Sequence, residues 1–144
     1  MSFQTEKLSS HMAAAVSGLD LNRLPDAETR AALLDVLHGN LVLCIRAQTL
    51  APPAFRDAMA QFGAPMLRNR MERIVGLERE ESDRLLDELI THAIQPKYQY
   101  RHVWRQGDIV IWDNRCTMHK ANADYPDGER RLMHRVIVAG TAPV

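Results

Sequence analysis

The chain has 144 residues, enough for one domain with a buried core, and its 46% hydrophobic and 25% charged content is ordinary for a globular protein. Eighteen Lys and Arg against eighteen Asp and Glu give a net charge of zero, which argues against a nucleic-acid partner or an anionic membrane surface. No apolar run approaches the ~20 residues of a membrane span. The opening MSFQTEKLSSHM lacks the charged-then-apolar layout of a signal peptide. The two cysteines, Cys44 and Cys116, lie far apart and form no metal-like spacing. A reduced, cytoplasmic protein is expected.

The first dozen residues are polar. Asp26 is placed to cap a helix after Pro25, with Ala31, Leu34 and His38 on one stripe beside Leu33 and Leu37. Gly39-Asn40 is expected to end that helix with a left-handed C-cap. Leu41 to Ile45 is an unbroken apolar run of strand length. Ala51-Pro52-Pro53 then opens a second helix through Phe55, Met59 and Phe62, stopped at Gly63. Ala64 to Arg73 has no period and reads as a charged, solvated loop. A third helix is expected from about Arg79 to Ile94, containing Ser82 and carrying the apolar stripe Leu85, Leu86, Leu89, Ile90 and Ala93, and Pro96 prevents its continuation.

Strand-like patterning follows. Tyr98, Tyr100 and His102 alternate, Arg105-Gln106-Gly107-Asp108 turns the chain, and Ile109 to Trp112 reads as a buried strand. Asp113-Asn114 and Asp127-Gly128 mark two further turns. Helices first and short strands after fit an α+β arrangement on a jelly-roll-like sheet.

The stretch Trp104 to Arg135, WRQGDIVIWDNRCTMHKANADYPDGERRLMHR, holds the residues with chemistry. Arg130 to Ala139 reads as a strand, so Arg131, Met133 and Arg135 share a face. The Cα atoms of Arg131 and Arg135 are then about 13 Å apart, at ~3.3 Å per residue. Arginine offers a planar, permanently charged fork suited to carboxylates and sulfonates. Solvated strand arginines are common, but Met133, Ile137 and Ala139 make this row otherwise apolar, and an arginine there meets an anion, whether a ligand or a protein carboxylate. His119 lies between the Asp113-Asn114 turn and the two arginines. Arg130 and Arg115 are less specific, Arg130 faces away by alternation and is left out of the site, Asp108 reads as a turn residue, and Trp104 and Trp112 read as core fillers. His134 is expected to be structural, and His92 to sit at its helix C-terminus.

The segment resembles the C-terminal signature of the TauD/TfdA family of iron(II)/2-oxoglutarate-dependent dioxygenases. The resemblance runs through Trp104, Gly107-Asp108, Trp112-Asp113-Asn114-Arg115, His119, Asp124-Tyr125, Arg130-Arg131, Met133-His134-Arg135 and Gly140. Val16-Ser17-Gly18-Leu19-Asp20-Leu21, Leu41 to Arg46 and the Pro53 to Phe62 helix extend it. It implies a double-stranded β-helix of jelly-roll, cupin-like type, with flanking helices. It implies His119 as the distal ligand of a two-histidine, one-carboxylate Fe(II) centre, Arg131 as the clamp on a 2-oxoglutarate carboxylate, and Arg135 as the partner of a small anionic substrate. The chemistry implied is hydroxylation of that substrate with decarboxylation of 2-oxoglutarate to succinate.

The upstream ligands of such a centre come as His-x-Asp or His-x-Glu. None of His11, His38, His92, His102, His119 or His134 is followed two positions on by an acid. His119 is the only member of the expected triad, and Asp113 and Asp124 flank it without a spacing that compels ligation. The expectation is a single shortened domain: residues 1–65 as an N-terminal strand and helix part, about 66–71 as a deletion junction, and 72–144 as a C-terminal helix and strand part. Its β-helix would be partial. On this reading the chain is inactive alone. The alternative is a non-catalytic remnant that binds small dicarboxylates weakly or forms homo-oligomers through exposed strands.

Overall fold

The computed structural model describes residues 3–65, 74–122, 125–126, 128–129 and 132–140. The chain divides into two compact units, Met1–Met66 with Trp104–Val144, and Leu67–Val103. The expected junction at 66–71 lies outside the described residues.

The first unit is built on a four-stranded mixed sheet. Its strands are β1 (Gln4–Lys7), β2 (Ala14–Ser17), β3 (Val42–Ile45) and β4 (Ile109–Trp112), in the order β1-β2-β3-β4. β1 and β2 form an antiparallel pair whose link turns through Ala13 at φ 67. β2 and β3 are parallel and therefore need a long connection, supplied by helix α1 (Ala27–Asn40). β4 returns antiparallel to β3, with Val42 opposite Trp112 and Ile45 opposite Ile109. The coarse expectation of an α+β chain is met.

α1 begins where the sequence indicates: the Asp26 side chain accepts a 2.7 Å hydrogen bond from the Thr29 backbone N–H. Two details differ from the expected helix. Its left-handed C-cap is Leu41, at φ 63, one residue beyond Gly39-Asn40, because Asn40 stays helical and turns its amide back to the Val36 carbonyl at 2.8 Å. The buried row is Thr29, Leu33 and Leu37, while Ala31 and His38 face solvent. A spacing of four carries that row onto β2 and β3, and the stripe through Leu34 and His38 sits too far round the helix.

Val16, Leu19, Leu21, Leu33, Leu37, Leu43, Ile45, Ala58 and Met59 form the core of this unit. Ala58 and Met59 come from helix α2 (Pro52–Met59), which tightens into a 3₁₀ turn at Ala60–Phe62 before Gly63. Gln48 is buried with its amide fully engaged: Nε2 donates to the Leu19 carbonyl at 2.7 Å and the Arg46 carbonyl at 2.8 Å, and Oε1 accepts from Leu21 N–H at 2.9 Å. These bonds tie the loop after β2 to the loop after β3.

In the second unit, helix α3 (Arg79–Ala93) matches its expected bounds. Its stripe is not a core face: Leu85, Leu89 and Ile90 are exposed, Leu89 by 54%. Ser82 is the buried residue of this helix, its hydroxyl accepting from Ile74 N–H at 2.7 Å. The expected strand through Tyr98, Tyr100 and His102 is instead a 3₁₀ turn at Pro96–Tyr98 followed by chain that lies in no strand. The Tyr100 hydroxyl meets His102 Nδ1 at 2.9 Å, so the alternation is real but serves a local side-chain pair. Among the described residues no helix is long and apolar enough to cross a membrane.

The expected strand from Arg130 to Ala139 is also absent over its described part. Residues 132–137 lie in no strand, and Val138 makes an isolated antiparallel bridge to Pro65. Alternating apolar character makes a strand only beside a second strand, and no described strand runs along these residues.

Candidate functional site

The site grows from the end of β4. Pairing with β3 fixes Trp112, and the chain turns immediately after it. The Asp113 carbonyl accepts from Cys116 N–H (3.3 Å), Thr117 N–H (3.0 Å) and the Thr117 hydroxyl (2.6 Å). Trp112 Nε1–H donates to Asn114 Oδ1 at 2.9 Å, which fixes the indole. This tight reversal brings His119 back onto Trp112, with ring centroids 4.7 Å apart and an interplanar angle of 49°. Arg135 arrives from the other side of the sequence and places its guanidinium carbon 5.8 Å from the same indole centroid. His119 and Arg135, the histidine and one of the two arginines singled out from the sequence, therefore share one aromatic platform.

Arg131, Asp124 and Arg130 lie outside the described residues. His134 is exposed, with its ring 6.4 Å from that of Phe55. His92 sits on α3, its ring 5.2 Å from that of Tyr98.

Beside the platform, Asp113 and Arg115 form a two-pronged ion pair. Arg115 Nη2 donates to Asp113 Oδ2 at 2.6 Å, and Nε–H lies 2.9 and 3.0 Å from the two carboxylate oxygens. The Arg115 backbone N–H adds a fourth bond at 2.9 Å. The Arg115 guanidinium hydrogen bonds hold the Asp113 carboxyl below the usual carboxylate range against an opposing desolvation, and Asp113 raises Arg115 in turn. A depressed folded pKa contributes stability that is present above the unfolded value of ~3.9 and lost as pH falls through the folded value. Below pH ~4 the turn after Trp112 should therefore loosen. Trp112 indole N–H chemical shifts followed from pH 6 to pH 2 should show a titration that disappears in Asp113→Asn.

The donor set also decides whether the residues present fit Fe(II). Asp113 is committed to Arg115, and among the described residues no group of three or more His, Cys, Asp and Glu ligand atoms includes His119. Its ring lies against an indole. The described residues do not fit a two-histidine, one-carboxylate centre. Burial pushes the Cys44 thiol up to about 11, the nearby Asp108 charge adding to it, so this cysteine is a core residue and not a thiolate.

A family model described as taurine catabolism dioxygenase TauD, TfdA family, matches residues 64–137. The chain belongs to the TauD/TfdA family. It is 47% identical over 66 residues to pentalenolactone F synthase of Streptomyces arenae, a match covering 46% of this chain and 22% of that protein. It is 33% identical over 117 residues to the alpha-ketoglutarate-dependent 2,4-dichlorophenoxyacetate dioxygenase of Burkholderia sp. (strain RASC), covering 72% and 38%. The alkylsulfatase of Acinetobacter baylyi is 37% identical over 75 residues, covering 52% and 23%. These matches thus span well under half the length of the curated relatives.

Solved structures share this fold. AAD-2, crystallised with Mn(II) and N-oxalylglycine, superposes with a TM-score of 0.84 at 17% identity, covering 99% of each chain. A taurine dioxygenase from Burkholderia xenovorans gives 0.68 at 19% identity, covering 80% of this chain and 81% of its own.

Sequence reasoning missed Trp112 as the residue that joins His119 and Arg135. Its signal was its position, last in an apolar strand and first before a turn. Arg115 reads from the sequence as less specific, yet its guanidinium anchors the same turn.

Proposed function

We propose that this chain is a TauD/TfdA oxygenase fold that keeps the arginines for small anions but does not assemble a working iron centre by itself. Full activity on this reading is hydroxylation of a small anionic substrate with decarboxylation of 2-oxoglutarate, and its iron chemistry needs ligands beyond His119. We read the mixed sheet as part of a double-stranded β-helix whose upstream ligand-bearing segment is missing. Arg135 then holds the anionic group of a substrate and Arg131 a 2-oxoglutarate carboxylate, roles carried over from the family motif. Support comes from relatives that act on 2,4-dichlorophenoxyacetate and on sulfate esters, both anionic. Two free thiols, Cys44 and Cys116, fit a reducing, cytoplasmic setting.

The observation that carries this reading is His119 resting on Trp112 beside Arg135, with no His-x-Asp or His-x-Glu pair in the chain. The test is an anaerobic titration with Fe(II) plus 2-oxoglutarate, following the visible metal-to-ligand charge-transfer band. No saturable band is expected, and His119→Ala should behave like wild type. A saturable, stoichiometric band lost in His119→Ala would overturn the reading.

A second reading, self-association through a sheet edge, is favoured by β4 itself. Its residues Ile109, Val110, Ile111 and Trp112 are all half-buried, and it ends the strand order. An apolar edge strand invites a second chain. Sedimentation of the same metal-free sample separates the two, since a concentration-independent monomer removes the second.

A further inference from the structure

The stretch 132–140 crosses the first unit as a strap that carries Arg135 near its middle. Its backbone is fastened toward one end: Ala139 N–H donates to the Ala64 carbonyl at 2.7 Å, and Val138 bridges Pro65. Val136 and Val138 rest partly on the core. Beneath the fastening lies Gly63, the residue that ends the turn after α2, at φ 155. A Cβ there would stand 2.0 Å from the Ala139 carbonyl oxygen and 3.0 Å from its carbon. Both offending atoms are backbone, so no side-chain rotation relieves the overlap, and only glycine lets the strap seat here.

We propose that Gly63 is a positioning residue for Arg135: the bare seat lets the strap dock, and docking holds the guanidinium against Trp112. The proposal rests on reading Arg135 as the anion clamp and adds the source of its placement. Arg135 is exposed, and a cation–π contact at an exposed site is too weak to fasten a strap by itself. The anchorage must come from elsewhere on the strap, and four residues along the chain the structure supplies it at Ala139 and Gly63. Gly63 touches none of the reacting groups and acts through backbone placement alone.

The test isolates Trp112, one of two tryptophans, in a Trp104→Phe background. Far-UV circular dichroism, Trp112 emission and acrylamide quenching are measured for Gly63→Ala, Ala139→Pro, Arg135→Gln and the Gly63→Ala/Arg135→Gln pair. Ala139→Pro removes the N–H that bonds Ala64 without touching α2. The expected result is retained far-UV signal in every variant. Gly63→Ala and Ala139→Pro should each reproduce the loss of Trp112 protection seen in Arg135→Gln, and the pair should lose no more than either single change. A folded Gly63→Ala or Ala139→Pro that keeps wild-type protection overturns the proposal. So does an Arg135→Gln that leaves Trp112 unchanged, or collapse of the far-UV signal in both backbone variants, which would make the contact part of the core. Titration with a short alkyl sulfate alone, an anion of the substrate class assigned to Arg135, separates the two ideas. If wild type gives no response while Gly63→Ala still matches Arg135→Gln, the anion-clamp reading fails and the positioning role stands.

Discussion

Arg46→Met should lower the stability of the first unit by about 3–5 kcal/mol, the usual cost of removing one partner from a buried ion pair. Arg46 Nη1 meets Asp108 Oδ2 at 2.6 Å, and the Asp108 side chain is only 1% exposed against 18% for Arg46. The same oxygen accepts from Arg105 N–H at 2.9 Å, so this carboxylate closes the turn that leads into β4. Removing the guanidinium leaves the charge buried with too little compensation, and the loss is the desolvation it no longer offsets. The combined Arg46→Met, Asp108→Leu variant should recover much of the deficit, because two apolar groups of similar volume leave no charge behind. Urea denaturation of the four members of this cycle, with unchanged m-values, checks both statements. A single Arg46→Met within about 0.5 kcal/mol of wild type, as surface changes usually are, would show that the pair is a surface interaction.

Gly107→Ala should cost about 2–4 kcal/mol, summing a left-handed backbone penalty and a lost hydrogen bond. Gly107 sits at φ +81, where an added Cβ would lie 2.6 Å from the Gln48 carbonyl oxygen and 2.8 Å from its nitrogen. Neither atom can move freely. Gln48 N–H donates to the Gly107 carbonyl at 2.7 Å, and the Gln48 side chain holds three further bonds across the loops after β2 and β3. Pushing the two segments apart therefore breaks the contact between the loop after β3 and the turn that leads into β4. The effect should appear twice in one thermal scan: a lower unfolding midpoint and altered Trp112 emission before the transition. A Gly107→Ala variant with a wild-type midpoint would mean that this close approach relaxes without penalty.

The contrast between the two halves of the chain shows what a sequence can disclose. Asp26, Pro52-Pro53 and the apolar run at Val42–Ile45 announce their elements because capping, proline geometry and strand-length apolarity act locally. The stripe on α3 and the alternation at 132–139 use the same local grammar, yet one faces solvent and the other pairs at a single bridge. Their patterns specify a face to bury, and burial depends on a neighbour that local pattern does not encode. The site was legible in part. His119 and Arg135 stood out by chemistry, and the structure joins them through a tryptophan read as filler. Asp108 looked like a turn residue because its partner, Arg46, lies sixty-two positions away.

That separation has a consequence for how the molecule assembles. β1, β2, α1 and β3 are consecutive in the chain and can form their contacts over short distances, whereas β4 must find β3 by closing the long loop that contains the second unit. Contacts of large sequence separation form late because their chain entropy is surrendered before their reward arrives. The same logarithmic law makes the loop permissive once closed. Doubling its length adds only about 0.6 kcal/mol, so a chain of this topology can gain or shed residues between β3 and β4 while the register of Val42 on Trp112 survives.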